Sequence, residues 1–291
     1  MTGIIVSLGQ GVASAHPDLR VGTYVAILAV NPCFKPSCYN CSHGMDNYCD
    51  ASHYGLNADG AWAAYVTIRA TAAIPVPGTP DSIPPGIVSS ATDAILTPYH
   101  AMKTCCGLQP EHTVLCLGAG GLGLNAISIA KKCLGVRCVI ACDSRDLALQ
   151  AAKEAGADYI ATPDTLLSII AEANLMVDFA FDFVGFQSTF DLCFSALRCG
   201  GTIHVLGLAS KAELNVSPLR VMKKRLIYKT SYWGSKGELI EILQALADGV
   251  LKPQVEMRSM KEVTQVLDDM RDGRLRSRVA LFPSDSYDGG D

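Results

Sequence analysis

From residue 113 onward, unbroken apolar runs alternate with stretches whose apolar residues recur at helical spacing. "TVLCLG" (113–118) is such a run and ends in glycines, and "LGLNAISIAKKCLG" (122–135) follows as a predicted helix. "VRCVIACD" (136–143) then reads as a strand and "RDLALQAAKEAG" (145–156) as a helix. "DYIA" (158–161), "VDFAFDFVG" (177–185), "TIHVLGL" (202–208) and "LIYKTSYWG" (226–234) are further strands, most of them separated by helical segments. Strands that are apolar throughout and alternate with helices predict a parallel sheet covered on both faces. The expected fold class is α/β with a doubly wound parallel sheet.

Residues 1 to about 90 have a different rhythm, with short strands and frequent breakers. "GTYVAILAV" (22–30) and "GAWAAYVTI" (60–68) are predicted strands, and the proline-rich stretch from Pro75 to Pro85 has the composition of an inter-domain boundary. No internal repeat or low-complexity tract is present, and the tail "PSDSYDGGD" is expected to fray.

The chain has 291 residues, 49% of them apolar, and a net charge of −4, so it can bury a sizeable core. No basic excess or stripe points to a nucleic-acid partner. The start, "MTGIIVSLGQGV", lacks the charged region and cleavage pattern of a signal peptide, and no apolar run is long enough to span a bilayer. The expectation is a soluble cytoplasmic protein.

Twelve cysteines change that picture only in one place. Cys116, Cys138 and Cys142 fall within or beside predicted strands, where a thiol packs as a small hydrophobe. Cys105, Cys106, Cys133, Cys193 and Cys199 are read the same way. "NPCFKPSCYNCSHGMDNYC" (31–49) instead crowds four cysteines into one segment broken by Pro and Gly. In a reducing compartment such a cluster reads as a metal site rather than a set of disulfides.

"VLCLGAGGLG" places Gly118, Gly120 and Gly123 in a G-x-G-x-x-G pattern. The pattern follows a predicted strand and opens a predicted helix. An acidic residue, Asp143, lies 20 positions past Gly123 at the end of the next strand. Those are the contexts a dinucleotide site requires. The first glycine permits the turn, the second lets a pyrophosphate approach the backbone, and the third lets helix and strand pack closely. The helix N-terminus offers N–H groups and a partial positive charge to the phosphates. Asp143 is suited to accept hydrogen bonds from ribose hydroxyls and to repel a 2′-phosphate, which favours NAD over NADP. Arg145, two residues on, could soften that preference, its other and favoured reading being a solvated charge at the helix start. Asp178 and Asp182, on one face of a strand, are expected to pack or cap rather than to work as a carboxylate pair. His100 and His204 are read as structural.

Together these motifs resemble the zinc-dependent medium-chain alcohol dehydrogenase family. "GTYVAILAVNPC" is similar to that family's early strand, "DGAWAAYVTI" (59–68) to its "DGGFAEY" segment, and "TDAILTPYHAM" (92–102) to the helix that begins its cofactor domain. "AAKEAGADYI" (151–160), "GGTIHVLGL" (200–208) and "GRLRSRVAL" (273–281) match later segments in the family's order. The resemblance implies a partial, mainly β, GroES-like catalytic domain over 1–91 and an NAD-binding Rossmann domain over 92–250. Residues 251–291 would return to the first domain. It also implies that Gly121 and Leu122 join the three motif glycines and Asp143 in holding NAD. Val184, Gly207 and Leu208 would line the nicotinamide end, and Arg278 matches the family's pyrophosphate-contacting arginine.

The family's structural zinc lobe is spaced C-x2-C-x2-C-x7-C. Cys38, Cys41 and Cys49 match its last three positions, and Lys35 stands where the first is expected, two residues after Cys33. The resemblance implies a structural zinc held by Cys33, Cys38, Cys41 and Cys49, with His43 as a nearby substitute. For the catalytic zinc, Asp93 occupies the third ligand position, with a helix N-cap as its other reading. The chain opens about where the family has just passed its histidine ligand, so the resemblance implies an N-terminally truncated member without the first two ligands and the proton relay. The expected function is NAD-dependent interconversion of a small-molecule alcohol and an aldehyde or ketone, with catalytic zinc and turnover doubtful in a chain so truncated. The alternative is a non-catalytic NAD-binding pseudoenzyme. A zinc-free quinone or enoyl reductase fits less well, because those relatives lack the cysteine lobe. Family members form homo-dimers or homo-tetramers, and the same is expected here.

Overall fold

A computed structural model describes residues 1–49, 52–60, 62–209 and 213–283. The expected frayed tail therefore lies, from residue 284 on, outside the described residues. The chain forms two compact units, one of residues 1–96 with 233–291 and the other of residues 97–232.

The second unit is the doubly wound sheet that the alternating pattern predicts. Its strands are β4 (Thr113–Leu117), β5 (Cys138–Cys142), β6 (Tyr159–Ala161), β7 (Val177–Asp182), β8 (Leu197–Val205) and β9 (Ile227–Thr230). They lie in the order β6-β5-β4-β7-β8-β9, every pair parallel. All five residues of both β4 and β5 are buried, which is why these strands read as continuous apolar runs. Leu115, Ile140, Ala180, Phe190 and Ile203 form the centre of one core, each worth about 1.5–3 kcal/mol of burial where the side chain is large. The strand order reverses beside β4, so the loops leaving β4 and β7 flank the switch point where open α/β sheets take their ligands.

The first unit has a three-stranded antiparallel sheet of β1 (Thr2–Ile4), β2 (Tyr24–Ile27) and β3 (Ala73–Pro75). Leu19, Val25, Ile27 and Ala73 form its core. A parallel pair, β10 (Val255–Ser259) and β11 (Arg278–Phe282), completes its sheets. The proline-rich stretch lies inside this unit. A continuous helical run over 85–105 carries the chain out of it, with wider π turns at Ala91–Ile95 and His100–Cys105. The helix Lys236–Ala247 starts on a capping box in which Ser235 N–H donates to Glu238 and Glu238 N–H donates to Ser235 Oγ.

One predicted strand is absent. Residues 62–68 form no strand, and Trp62, Tyr65 and Val66 are exposed. An apolar run makes a strand only when a neighbour takes up its backbone groups. Among the described residues none pairs with this segment as a strand. No helix among the described residues is long and apolar enough to cross a membrane.

Candidate functional site

The glycine loop leaves β4 and enters the helix Gly121–Ser128. Gly118 has φ +93°, a conformation in which a side chain is strained. A Cβ on Gly123 would lie 1.9 Å from Gly118 O, so helix and turn approach as closely as backbone allows. Gly120 differs: a Cβ there would meet nothing within 4 Å. Its φ of −90° and ψ of −157° suit any residue, so the glycine leaves open space rather than relieving strain. Leu124 N–H makes the first bond of the helix ladder, to Gly120 O at 2.9 Å, and the N–H groups of Gly121, Leu122 and Gly123 precede it. This cradle fits a pyrophosphate.

Asp143, just past β5, closes one side. Its Oδ2 accepts the Ala119 N–H at 2.8 Å, which ties it to the glycine loop. Its Oδ1 accepts the Arg145 N–H at 3.0 Å and Arg145 Nε–H at 3.1 Å, and Oδ2 also accepts Arg145 Nη2–H at 3.3 Å. Burial alone would raise this carboxyl's pKa, but the bonds from Arg145 and Ala119 and the arginine's charge bring it below the ordinary value. Arg145 is thus an ion-pair partner of Asp143, not a merely solvated charge.

The other side is built where β7 and β8 end. Asp182, fully buried, accepts Val184 N–H at 2.9 Å and Gly185 N–H at 3.0 Å on Oδ1, and Thr189 Oγ1–H at 2.8 Å on Oδ2. Its carbonyl accepts the N–H groups of Leu206 and Gly207. Val184 and Gly207 are thereby pressed together, with Leu208 beside them 94% exposed. Val184 Cγ2 also lies 2.8 Å from where a Cβ on Gly118 would be. Glycine loop, Val184 and Gly207 form one cluster at the carboxyl ends of the strands. Asp178 caps instead, accepting Thr113 N–H and pairing with Arg198 at 2.6 Å.

In the first unit the four cysteines converge. Their sulfurs all lie within 4.8 Å of one another, with Cys33–Cys41 at 3.9 Å and Cys38–Cys49 at 4.0 Å. A bridged pair would stand at about 2.05 Å. A tetrahedron with Zn–S bonds of about 2.3 Å has edges of about 3.8 Å. The donor set therefore fits a four-coordinate zinc with no open position. Cys33 reaches the cluster through a turn at Phe34, whose φ is +47°. His43 is held elsewhere, its Nδ1 2.7 Å from Tyr39 O and its ring stacked on Tyr39 at 4.2 Å.

Asp93 lies within the helical run, in the turn Ala91–Ile95, and so does not cap a helix start. Its Oδ2 is 3.4 Å from Nη2 of Arg278, the first residue of β11. Arg278 Nε is buried without a hydrogen-bond partner. The only group of three or more metal donors among the described residues is the cysteine set. These residues do not make up a catalytic zinc site around Asp93.

Sequence reasoning missed a buried chain in the second unit. Cys106 Sγ lies 3.4 Å from His204 Nδ1, and His204 Nε2 is 2.9 Å from Ser231 Oγ. Burial first, then the charges of His100 and Lys229, push the His204 pKa down to about 4. Its partners lie 98 and 27 residues away in sequence, so no local pattern announces them. Lys103 Nζ donates to Tyr99 OH at 3.2 Å along one helix.

A glycine cradle at the switch point of a parallel sheet, with a four-thiol lobe in a separate β-containing unit, defines a nucleotide-binding protein with a lobe that fits a structural zinc. Residues 1–78 match the alcohol dehydrogenase GroES-like domain and residues 121–248 the zinc-binding dehydrogenase family. The chain is 28% identical to an alcohol dehydrogenase of Geobacillus stearothermophilus over 96% of its own length and 80% of that protein's. It is 31% identical to the structure of acetophenone reductase from Geotrichum candidum in complex with NAD, with a TM-score of 0.84 over 96% of this chain and 79% of that one. An alcohol dehydrogenase from Aeropyrum pernix is 27% identical, with a TM-score of 0.85 over 97% and 81%. The chain belongs to the zinc-dependent medium-chain alcohol dehydrogenase family.

Proposed function

We propose that this chain binds NAD at the carboxyl edge of its parallel sheet and serves the interconversion of a small-molecule alcohol and its aldehyde or ketone. The observation that carries the reading is the open space over Gly120, bounded by the close-packed Gly118 and Gly123 and by Asp143. The acetophenone reductase, similar over 96% of this chain, was determined with NAD, which supports the same cofactor here. When bound, the nicotinamide supplies the hydride acceptor or donor. The chain's residues provide its placement. N–H groups of Gly121, Leu122 and Gly123 face the pyrophosphate, Asp143 accepts from the ribose, and Val184, Gly207 and Leu208 flank the nicotinamide end. For Arg278 the pyrophosphate role rests on the family resemblance alone. Cys33, Cys38, Cys41 and Cys49 hold a zinc that fixes the loop and takes no part in the reaction. A purely NAD-binding, non-catalytic protein is less well supported, since the relatives matched over nearly the whole chain are named as dehydrogenases and a reductase.

The twelve unbridged cysteines suit a reducing compartment, and the cytoplasm is the proposed location. A homo-dimer is proposed through β9, an edge strand with Ile227 and Tyr228 about half exposed. The function is tested by assaying NAD reduction over a panel of primary and secondary alcohols, alongside NADH binding. Alcohol-dependent NADH formation is the expected result. Binding without turnover on any alcohol or carbonyl would leave the non-catalytic reading standing, and no binding would end both.

A further inference from the structure

Asp143 has no acceptor position left. A carboxylate offers about four lone-pair sites on its two oxygens. Here Oδ1 takes Arg145 N–H and Nε–H, and Oδ2 takes Ala119 N–H and Arg145 Nη2–H. The two backbone bonds are built into the loops and remain when a ligand enters. The two side-chain bonds are the positions that a ribose diol would have to occupy. Arg145 is free to give them up: its side chain is 44% exposed, against 8% for Asp143.

We propose that Arg145 is a specificity-determining residue whose guanidinium exchanges with the adenosine ribose at Asp143, weakening NAD and admitting NADP. The inference rests on the cofactor site proposed above. With NAD, the two ribose hydroxyls replace two guanidinium N–H donors, so the ribose gains only the difference between them. With NADP, a 2′-phosphate cannot donate to Asp143 and is repelled by it. Arg145 offsets that charge and presents a planar pair of donors that matches phosphate. Discrimination between the two cofactors is therefore shallow in this chain, although an aspartate stands at the end of β5.

The test is direct titration of the full chain with NADH and NADPH, by nucleotide fluorescence or calorimetry, in wild type, Arg145→Ala and Arg145→Lys. In Arg145→Ala, NADH should bind more tightly and NADPH more weakly, moving the ratio of their Kd values by about tenfold or more, the effect of one charge-assisted hydrogen bond. Arg145→Lys, which keeps the charge but not the fork, should fall between. An unchanged ratio, or equal weakening of both nucleotides, would overturn the proposal while leaving the NAD site intact. Failure of wild type to bind either nucleotide would remove the site itself, and this inference with it.

Discussion

A Cβ placed on Gly207 would lie 2.2 Å from the carbonyl carbon of Val184 and 2.4 Å from its nitrogen and oxygen. The turns after β7 and β8 are therefore in backbone contact, and Asp182 bonds to both through its carboxylate and its carbonyl. Gly207→Ala must push one turn away from the other. Overpacking of this kind costs about 1–3 kcal/mol, so a fall in Tm of roughly 3–10 °C is expected by calorimetry. NADH affinity should fall with it.

Removing the carboxylate beneath those turns is predicted to cost more. Asp182→Ala strands the N–H groups of Val184 and Gly185, while the Thr189 hydroxyl keeps the Phe186 carbonyl at 2.9 Å as its acceptor. Buried donors left unmet cost about 1–3 kcal/mol each. Asp182→Asn keeps the bonds to Oδ1 and should be milder. Urea unfolding of the two variants checks the order, and equal stability for both would contradict the role assigned to Oδ1.

His204 predicts a pH dependence of stability. Its folded pKa of about 4 lies below the ordinary 6.5, because burial disfavours the charged form. Above the ordinary value both states are neutral and the histidine contributes nothing. As pH falls through the window from 6.5 to 4, the unfolded chain takes up a proton that the native chain does not. Stability therefore drops on acidification, by roughly 3 kcal/mol across the window. Urea melts of wild type and His204→Gln at several pH values isolate this share. The variant should lose less stability than wild type between neutral pH and pH 4, and identical slopes would contradict the assignment.

For the thiol cluster, elemental analysis should find about one zinc per chain. Chelation should expose four reactive thiols and lower Tm, since metal binding energy is folding energy at such a site. Cys33→Ser should bind zinc more weakly and lose the same stability without chelator. A full complement of zinc in Cys33→Ser would show that another residue supplies the fourth ligand.

The second unit was legible because its chemistry is local. Strands buried on both faces read as continuous apolar runs, and the glycine loop with Asp143 lies within 26 consecutive residues. The cysteine lobe was legible except for its register. Lys35 stands at the spacing expected of a ligand, whereas the structure brings Cys33 to the cluster, with Phe34 beside it at positive φ. What could not be read depends on partners distant in sequence. Residues 62–68 are an apolar run that reads as a strand but form none, and Asp93 pairs with Arg278, 185 positions away. Between the two readings of Arg145 the sequence could not decide, because a charge at a helix start is ordinarily solvated and only the geometry shows it folded back onto Asp143.

The central claim is that the open space over Gly120 holds a nucleotide pyrophosphate, and Gly120→Val tests it most directly. Gly120 has an ordinary backbone conformation and no atom within 4 Å of its Cβ position, so valine should fold without strain. The account predicts a Tm close to wild type with NADH affinity reduced about a hundredfold or more, the loss of two charge-assisted hydrogen bonds. Unchanged NADH binding in a folded Gly120→Val protein would contradict it.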